Sequence, residues 1–227
     1  MGRVAAGWKD EGLFDPVELL LRLPVVLLAL TVHEFSHAYV AYRMGDPTAA
    51  RLGRCTLNPL AHLDPLGTIC LVFAPIGWAK PVPVNPLNFH DPRKGSLYTS
   101  AAGPASNLLQ AIVWALLLRM TVFRLGVWFP DLPDKAFDAA FAMCWVGVFV
   151  NVALAVFNLL PFYPLDGYRV SMELLPLEGR ERMAEWAPIG PFIIIGLVIA
   201  GRMGKVDIIG KLIEPPANLL FTYVAGI

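Results

Sequence analysis

His33-Glu34-Phe35-Ser36-His37 places two imidazoles four residues apart, with a carboxylate directly after the first. On a helix that spacing turns the side chains about 40° from each other, so both imidazoles face one way. Two neutral imidazoles so placed can share one Zn²⁺, and the intervening glutamate can act as general base toward the ion's water. Five residues alone are a weak signal, because such strings arise by chance. The setting is more informative. Val17 to Tyr42 is long enough to cross a bilayer, yet it carries Glu18, Arg22, His33, Glu34 and His37. Ionisable groups deep in an apolar helix need partners, and by default they mark function. The plainer reading is a polar seam packed against other polar residues. Six residues, or about 9 Å of helix, separate His37 from Arg43. A metal held here would lie inside the hydrocarbon layer, toward the Arg43 end.

A catalytic zinc usually has three protein ligands and one open position. The candidates for the third are His62, Asp64, His90, Asp166 and Glu173. Asp166 has the most suggestive context. It follows an apolar run in Asn158-Leu-Leu-Pro161-Phe-Tyr-Pro164-Leu-Asp166-Gly167, where two prolines and a glycine stop a helix and free backbone groups. Irregular backbone at membrane depth is tolerated where it lines a cavity or packs in protein. Asp166 then either points into a wet pocket as a ligand or caps the next helix, expected over 168–175. Spacing leaves the two open. His62 and His90 stand in polar, Pro-rich surroundings that suit surface histidines.

HExxH in a membrane helix, followed far downstream by Asn158-x-x-Pro161-x-x-x-Leu165-Asp166-Gly167, resembles the site-2 protease family of intramembrane zinc proteases. Gly103-Pro104-Ala-Ser-Asn107 also resembles a Gly-Pro-x-x-Asn that recurs in the family's next core helix. The resemblance spans residues 33–167 in the family's order. It implies that His33, His37 and Asp166 are the ligands of one Zn²⁺ per chain and that Glu34 is the catalytic base. It implies that Asn158 helps hold the water or the developing oxyanion. It further implies a compact member without the PDZ or CBS modules of larger relatives, acting on transmembrane protein substrates. For Asn107 and Asn151 the residue types favour helix-tying amides over a direct catalytic role.

The elements that must position these groups follow from composition. Hydrophobic residues make up 56% of the 227-residue chain and charged residues 16%, against about 25% charged in soluble domains. Eighteen basic and eighteen acidic residues cancel, which argues against a nucleic-acid partner and for the lipid bilayer. The N-terminus lacks the pattern of a cleavable signal. Cys55, Cys70 and Cys144 are scattered and suggest no disulfide framework. Uncharged runs at 97–118 and 139–165 read as spans, with weaker candidates at 186–203 and 208–227. The expected fold is therefore an all-α polytopic membrane protein. Three core helices are joined by one or two C-terminal helices and a short β-hairpin or re-entrant segment around 66–85. One domain over 1–227 accounts for the length. Trp78-Ala-Lys-Pro-Val-Pro-Val-Asn85 reads as extended chain, and its edge could pair with an unwound substrate peptide.

Both His37 and Asp166 lie near the C-terminal ends of their spans. For them to meet, an even number of crossings must separate those ends, so 66–79 should not cross. The loop then holds Arg43, Arg51, Arg54, Lys80, Arg93 and Lys94. Placing it in the cytoplasm satisfies the positive-inside tendency, although the margin of basic residues over the other side is thin. A site near the cytoplasmic face of a multi-pass cell-membrane protein is mostly what the family resemblance implies. The alternative to a protease is a non-catalytic membrane metal-binding protein or transporter, since broken helices and midplane polar groups serve those as well. Such a protein needs ligands but no base.

Overall fold

In lipid an apolar run has one stable open-ended form, the α-helix, because each backbone N–H and C=O is then paired within the segment. A computed structural model describes residues 16–68, 78–128, 133–202 and 207–227, and most of these are helical. The chain is an all-α polytopic membrane protein. Helix α1 spans Pro16–Arg43, and a short α2 spans Thr48–Arg51. The 37-residue α3 runs Pro92–Trp128, and α4 runs Asp134–Asn158. Then come α5 (Asp166–Leu174), α6 (Leu177–Trp186), a 3₁₀ turn at Ala187–Ile189 and α7 (Gly190–Arg202). Last is α8 (Ile208–Leu219), which runs on as a π turn over Leu220–Ala225.

Among the described residues, four stretches are long and apolar enough to cross a membrane: Leu19–Arg43, Pro92–Phe123, Asp134–Asn158 and Leu177–Gly201. The first three pack against one another as the core. Two expectations change. The apolar run 139–165 is not all helix, because α4 begins at Asp134 and stops at Asn158 ahead of the prolines. The segment 208–227 is not among the four. It lays Ile213, Ala217, Phe221 and Ala225 against Ala111, Ala115 and Leu118 of α3 and Cys144, Val148 and Val152 of α4. Alanines at these contacts let helices approach closely, which matters in lipid, where apolar burial drives association weakly.

Between α2 and α3 the chain returns to α1 as an extended strap over residues 78–85. Its near end is held by an isolated antiparallel bridge between Leu63 and Ala79. Lys80 N–H donates to the His62 carbonyl at 2.8 Å, and Arg54 Nη2 donates to the Lys80 carbonyl at 2.5 Å. The far end is held by Asp46, which is fully buried. Its carboxylate accepts from the Asn85 N–H (2.7 Å), the Asn88 amide (2.8 Å), and the N–H and hydroxyl of Thr48 (3.1 and 2.5 Å). Burial pushes the Asp46 pKa up, but these four hydrogen bonds outweigh it and hold the carboxyl below its usual value. Residues 69–77, with Cys70, lie between the bridge residues and outside the described residues, so the expected hairpin or re-entrant segment falls there untested. So does the expectation that 66–79 does not cross.

Candidate metal centre

Helix α1 carries His33 and His37 on one face, both buried against α3. The imidazole Nε2 atoms lie 3.0 Å apart. Each Nδ1 is tied down from behind. His37 Nδ1 lies 2.6 Å from the Thr99 carbonyl, and His33 Nδ1 lies 2.6 Å from Asn107 Oδ1. A backbone carbonyl only accepts, so His37 carries its proton on Nδ1 and turns the lone pair of Nε2 forward.

Gly103 explains how close α3 comes. A Cβ on that residue would overlap His37 Nε2 and the His33 ring. Glycine is therefore required in Gly103-Pro104-Ala-Ser-Asn107 by the imidazoles that rest on its backbone.

Asp166 arrives from the other side of the bundle. It is not a cap, because the residue before the helix is Leu165, with no side-chain cap hydrogen bond, and Asp166 is the first residue of α5. Gly167 makes this start possible, since a Cβ there would collide with the carbonyls of Leu159 and Leu160. The Asp166 carboxylate thus reaches the imidazoles. Its Oδ2 lies 3.2 Å from His33 Nε2 and 3.2 Å from His37 Nε2. Among the described residues, His33, His37 and Asp166 form the group able to hold a metal ion, with ligand atoms within 4.8 Å of one another.

The residues present fit a zinc ion. Asp166 Oδ2 is buried and has no hydrogen-bond donor. Acceptor atoms converging in a largely buried site repel one another, and a shared proton bridges two of them only. A cation satisfies all three. Ligands held about 2.0–2.1 Å from a tetrahedral zinc sit roughly 3.3 Å from each other, close to the 3.0–3.2 Å edges of this triangle. Two imidazoles and one carboxylate also match zinc's preferred donor set.

Glu34 lies half-buried beside this triangle, and its Oε2 accepts from the Val82 N–H of the strap at 3.0 Å. Both line a cleft of about 450 Å³ with His33, His37, Asp166 and Asn158. Asn158 ends α4, and its Nδ2 donates to the Leu154 carbonyl at 3.0 Å, so the amide stands at the cleft wall.

The other candidates stand elsewhere. His62, expected at the surface, is 1% exposed and bonds the Thr56 carbonyl through Nε2 at 2.8 Å. Its backbone carbonyl accepts from Lys80 N–H of the strap, a tertiary contact that its Pro-rich flanks conceal. His90 is exposed. Asp64 accepts the Gly67 N–H at 2.8 Å. Glu173 lies 3.9 Å from Arg180 Nη1, while its carbonyl accepts two bonds from Arg93.

The chain is 36% identical over 220 residues to YwhC of Bacillus subtilis, a protein provisionally named a zinc metalloprotease; the match covers 91% of this chain and 99% of that protein. The chain belongs to the site-2 protease family. Rip2 of Mycolicibacterium smegmatis, provisionally named in the same way, is 34% identical over 189 residues, 79% of this chain and 66% of that protein. Rip2 of Mycobacterium tuberculosis H37Rv is 31% identical over 183 residues, 76% of this chain and 63% of that protein. No family model matches the chain, and no solved structure matches it. For this site-2 protease family member, residue-type reasoning missed Thr99, which acts through its backbone, and, although it singled out the strap as an edge, it missed the bond from Val82 N–H to Glu34. No side-chain signal marks either residue.

Proposed function

We propose that the chain is an intramembrane zinc endopeptidase that hydrolyses peptide bonds in or near transmembrane segments of membrane proteins. One observation carries the reading: two imidazoles from α1 and the carboxylate of the first residue of α5, just after the proline-broken turn, converge within 3.2 Å, with Glu34 beside them in a cleft of a membrane-spanning bundle. The provisional names of the relatives support zinc and proteolysis. His33, His37 and Asp166 would hold one Zn²⁺. When bound, the ion polarises a scissile carbonyl and makes water acidic enough to react near neutral pH.

The chain's own groups do the rest. Glu34 takes a proton from the attacking water at a carboxylate oxygen and delivers it to the leaving amine, so water adds across the C–N bond and acid and amine separate. The Asn158 amide, at the cleft wall, donates toward the developing oxyanion. A substrate helix must unwind first, because its carbonyls are already hydrogen-bonded, and the strap over residues 78–85 offers an edge for the unwound peptide. The basic residues Arg43, Arg51, Arg54, Lys80, Arg93 and Lys94 favour a site near the cytoplasmic face.

The deciding experiment uses Glu34→Gln beside Asp166→Ala and His37→Ala, reconstituted with single-span reporter proteins in vesicles. Glu34→Gln should abolish cleavage while zinc stays near one per chain. Loss of a ligand should weaken zinc binding by more than about 100-fold, since changes behind a ligand alone cost roughly 10–100-fold. Cleavage retained by Glu34→Gln removes Glu34 as the base and with it this enzyme assignment, and a parent that binds zinc but cleaves no reporter favours a metal-binding or transport role.

A further inference from the structure

Two fully buried amides, Asn107 on α3 and Asn151 on α4, lie behind the metal triangle, where neither ligation nor proton transfer uses them. A buried amide is tolerated when its donors and acceptor are paired. Here the pairing has a direction. Asn151 Nδ2 donates to the Gly147 carbonyl at 2.9 Å, and a carbonyl only accepts. That leaves Asn151 Oδ1 to receive Asn107 Nδ2, also at 2.9 Å. The same Asn107 nitrogen faces the Ala29 carbonyl at 3.4 Å, a second acceptor that agrees with the first. Asn107 Oδ1 is thereby turned toward His33 Nδ1 at 2.6 Å. The group that completes this chain is an N–H, so His33 carries its proton on Nδ1 and presents the lone pair of Nε2 to His37 and Asp166.

We infer that Asn107 and Asn151 are positioning residues that fix the tautomer and ring orientation of His33, and so set the affinity of the site for its metal. This rests on the reading of His33 as a ligand. The relay starts on α4, crosses α3 and ends on α1, so the register of three helices is transmitted to one nitrogen. His37 is held by the Thr99 backbone, which substitution of the Thr99 side chain leaves in place. The amide relay is therefore the support of the site that a side-chain change can remove. Amides that merely tie helices together would contribute to stability alone.

The test is the zinc dissociation constant of the full chain in detergent, measured by competition with a chromophoric chelator. The Co²⁺ ligand-field spectrum and the melting temperature of the metal-free protein are recorded alongside. Asn107→Leu should weaken zinc binding by about 10–100-fold and alter the Co²⁺ spectrum, as expected when the partner behind a ligand is lost. Asn151→Leu, which touches no ligand, should weaken it less, and the double variant should be no worse than Asn107→Leu. Asn107→Asp keeps an acceptor against Nδ1–H and, with a proton on the oxygen that faces Asn151 Oδ1, should retain more of the affinity than Asn107→Leu. If Asn107→Leu proves too unstable to purify, Asn151→Leu carries the same comparison. The inference is overturned if Asn107→Leu or, in its place, Asn151→Leu binds zinc as tightly as the parent while melting lower. It is also overturned if Asn107→Leu and Asn107→Asp lose affinity equally. A parent protein that binds no zinc is a different result, which removes the metal reading itself.

Discussion

The Glu34 carboxylate accepts a 3.0 Å hydrogen bond from the backbone N–H of Val82, 48 residues further along the chain. Val82 sits between Pro81 and Pro83, neither of which has an N–H to offer. Its amide therefore serves as the donor of that stretch of strap, and at rest it engages the proposed base. A peptide laid along the strap as an added strand would take this donor for one of its own carbonyls and release Glu34. Val82→Pro removes the donor while keeping an extended backbone. A hydrogen bond of this kind is worth about 1 kcal/mol or somewhat more, so kcat/KM on a membrane reporter should fall about tenfold. Zinc content should stay at about one per chain. Full activity in Val82→Pro would exclude the strap from substrate binding.

The close seat of the histidines on Gly103 makes a second, paired prediction. A methyl group at Gly103 overlaps both imidazoles, and a methyl group at Gly147 overlaps the Trp114 ring instead. Each overpacks the α3 interface, at a cost of about 1–3 kcal/mol. Gly103→Ala and Gly147→Ala should therefore melt at comparably lowered temperatures, while zinc affinity drops only in Gly103→Ala. Calorimetry and chelator competition on the same preparations check this. Equal zinc affinity in the two variants would mean that the imidazoles do not rest on Gly103.

Much of this was legible in the residues because ionisable groups are costly in apolar surroundings. His33, Glu34 and His37 stand out in an apolar helix, and Asp166 stands out after two prolines. The choice between ligand and cap at Asp166 was not legible. It depends on whether the helix begins at Asp166 or beyond it, and in three dimensions α5 begins at Asp166, with Gly167 packed on the Leu159 and Leu160 carbonyls. His62 looked exposed because its neighbours are polar, yet it is buried and its carbonyl is bonded to the strap. The segment 208–227 looked like a weak span. Its alternation of small and large apolar residues instead matches the α3–α4 surface, and a one-dimensional hydropathy reading has no access to that match. Asn107 and Asn151 were readable as helix-tying amides, but the direction of their hydrogen bonds emerges only once Gly147 and His33 are placed at the two ends.

The strap's far anchor predicts an acid dependence. The unfolded chain's Asp46 titrates near 3.8, and in the folded protein its four hydrogen bonds hold it lower. The folded state then binds fewer protons across that range. The stability due to Asp46 is complete above it and is lost as pH falls through 3.8 toward the lower native value. Hydrogen bonds to a charged group are worth about 1.5–3 kcal/mol each at most, so Asp46→Asn should destabilise the folded chain by about 2 kcal/mol at neutral pH. The gap between Asp46→Asn and the parent should be flat above about pH 5 and narrow below about pH 4. Melting curves across that range check it. A gap independent of pH would show that the carboxylate's charge plays no part in holding Asn85 and Asn88.

The membrane orientation is testable from two exposed positions. Leu87, just beyond the strap, is 90% exposed. Lys135 is exposed in the first turn of α4, and the 25 residues of that helix carry the chain about 37 Å to the site end at Asn158. That length exceeds the hydrocarbon thickness of about 30 Å, so the two positions should lie on opposite sides. In a background with Cys55, Cys70 and Cys144 replaced by alanine, Leu87→Cys should react with a membrane-impermeant maleimide in inverted vesicles and resist it in right-side-out ones. Lys135→Cys should behave oppositely. Labelling of Leu87→Cys from outside would move the strap and the metal triangle away from the cytoplasm. Labelling of both positions from one side would contradict the crossing of α4 that brings Asn158 to the cleft.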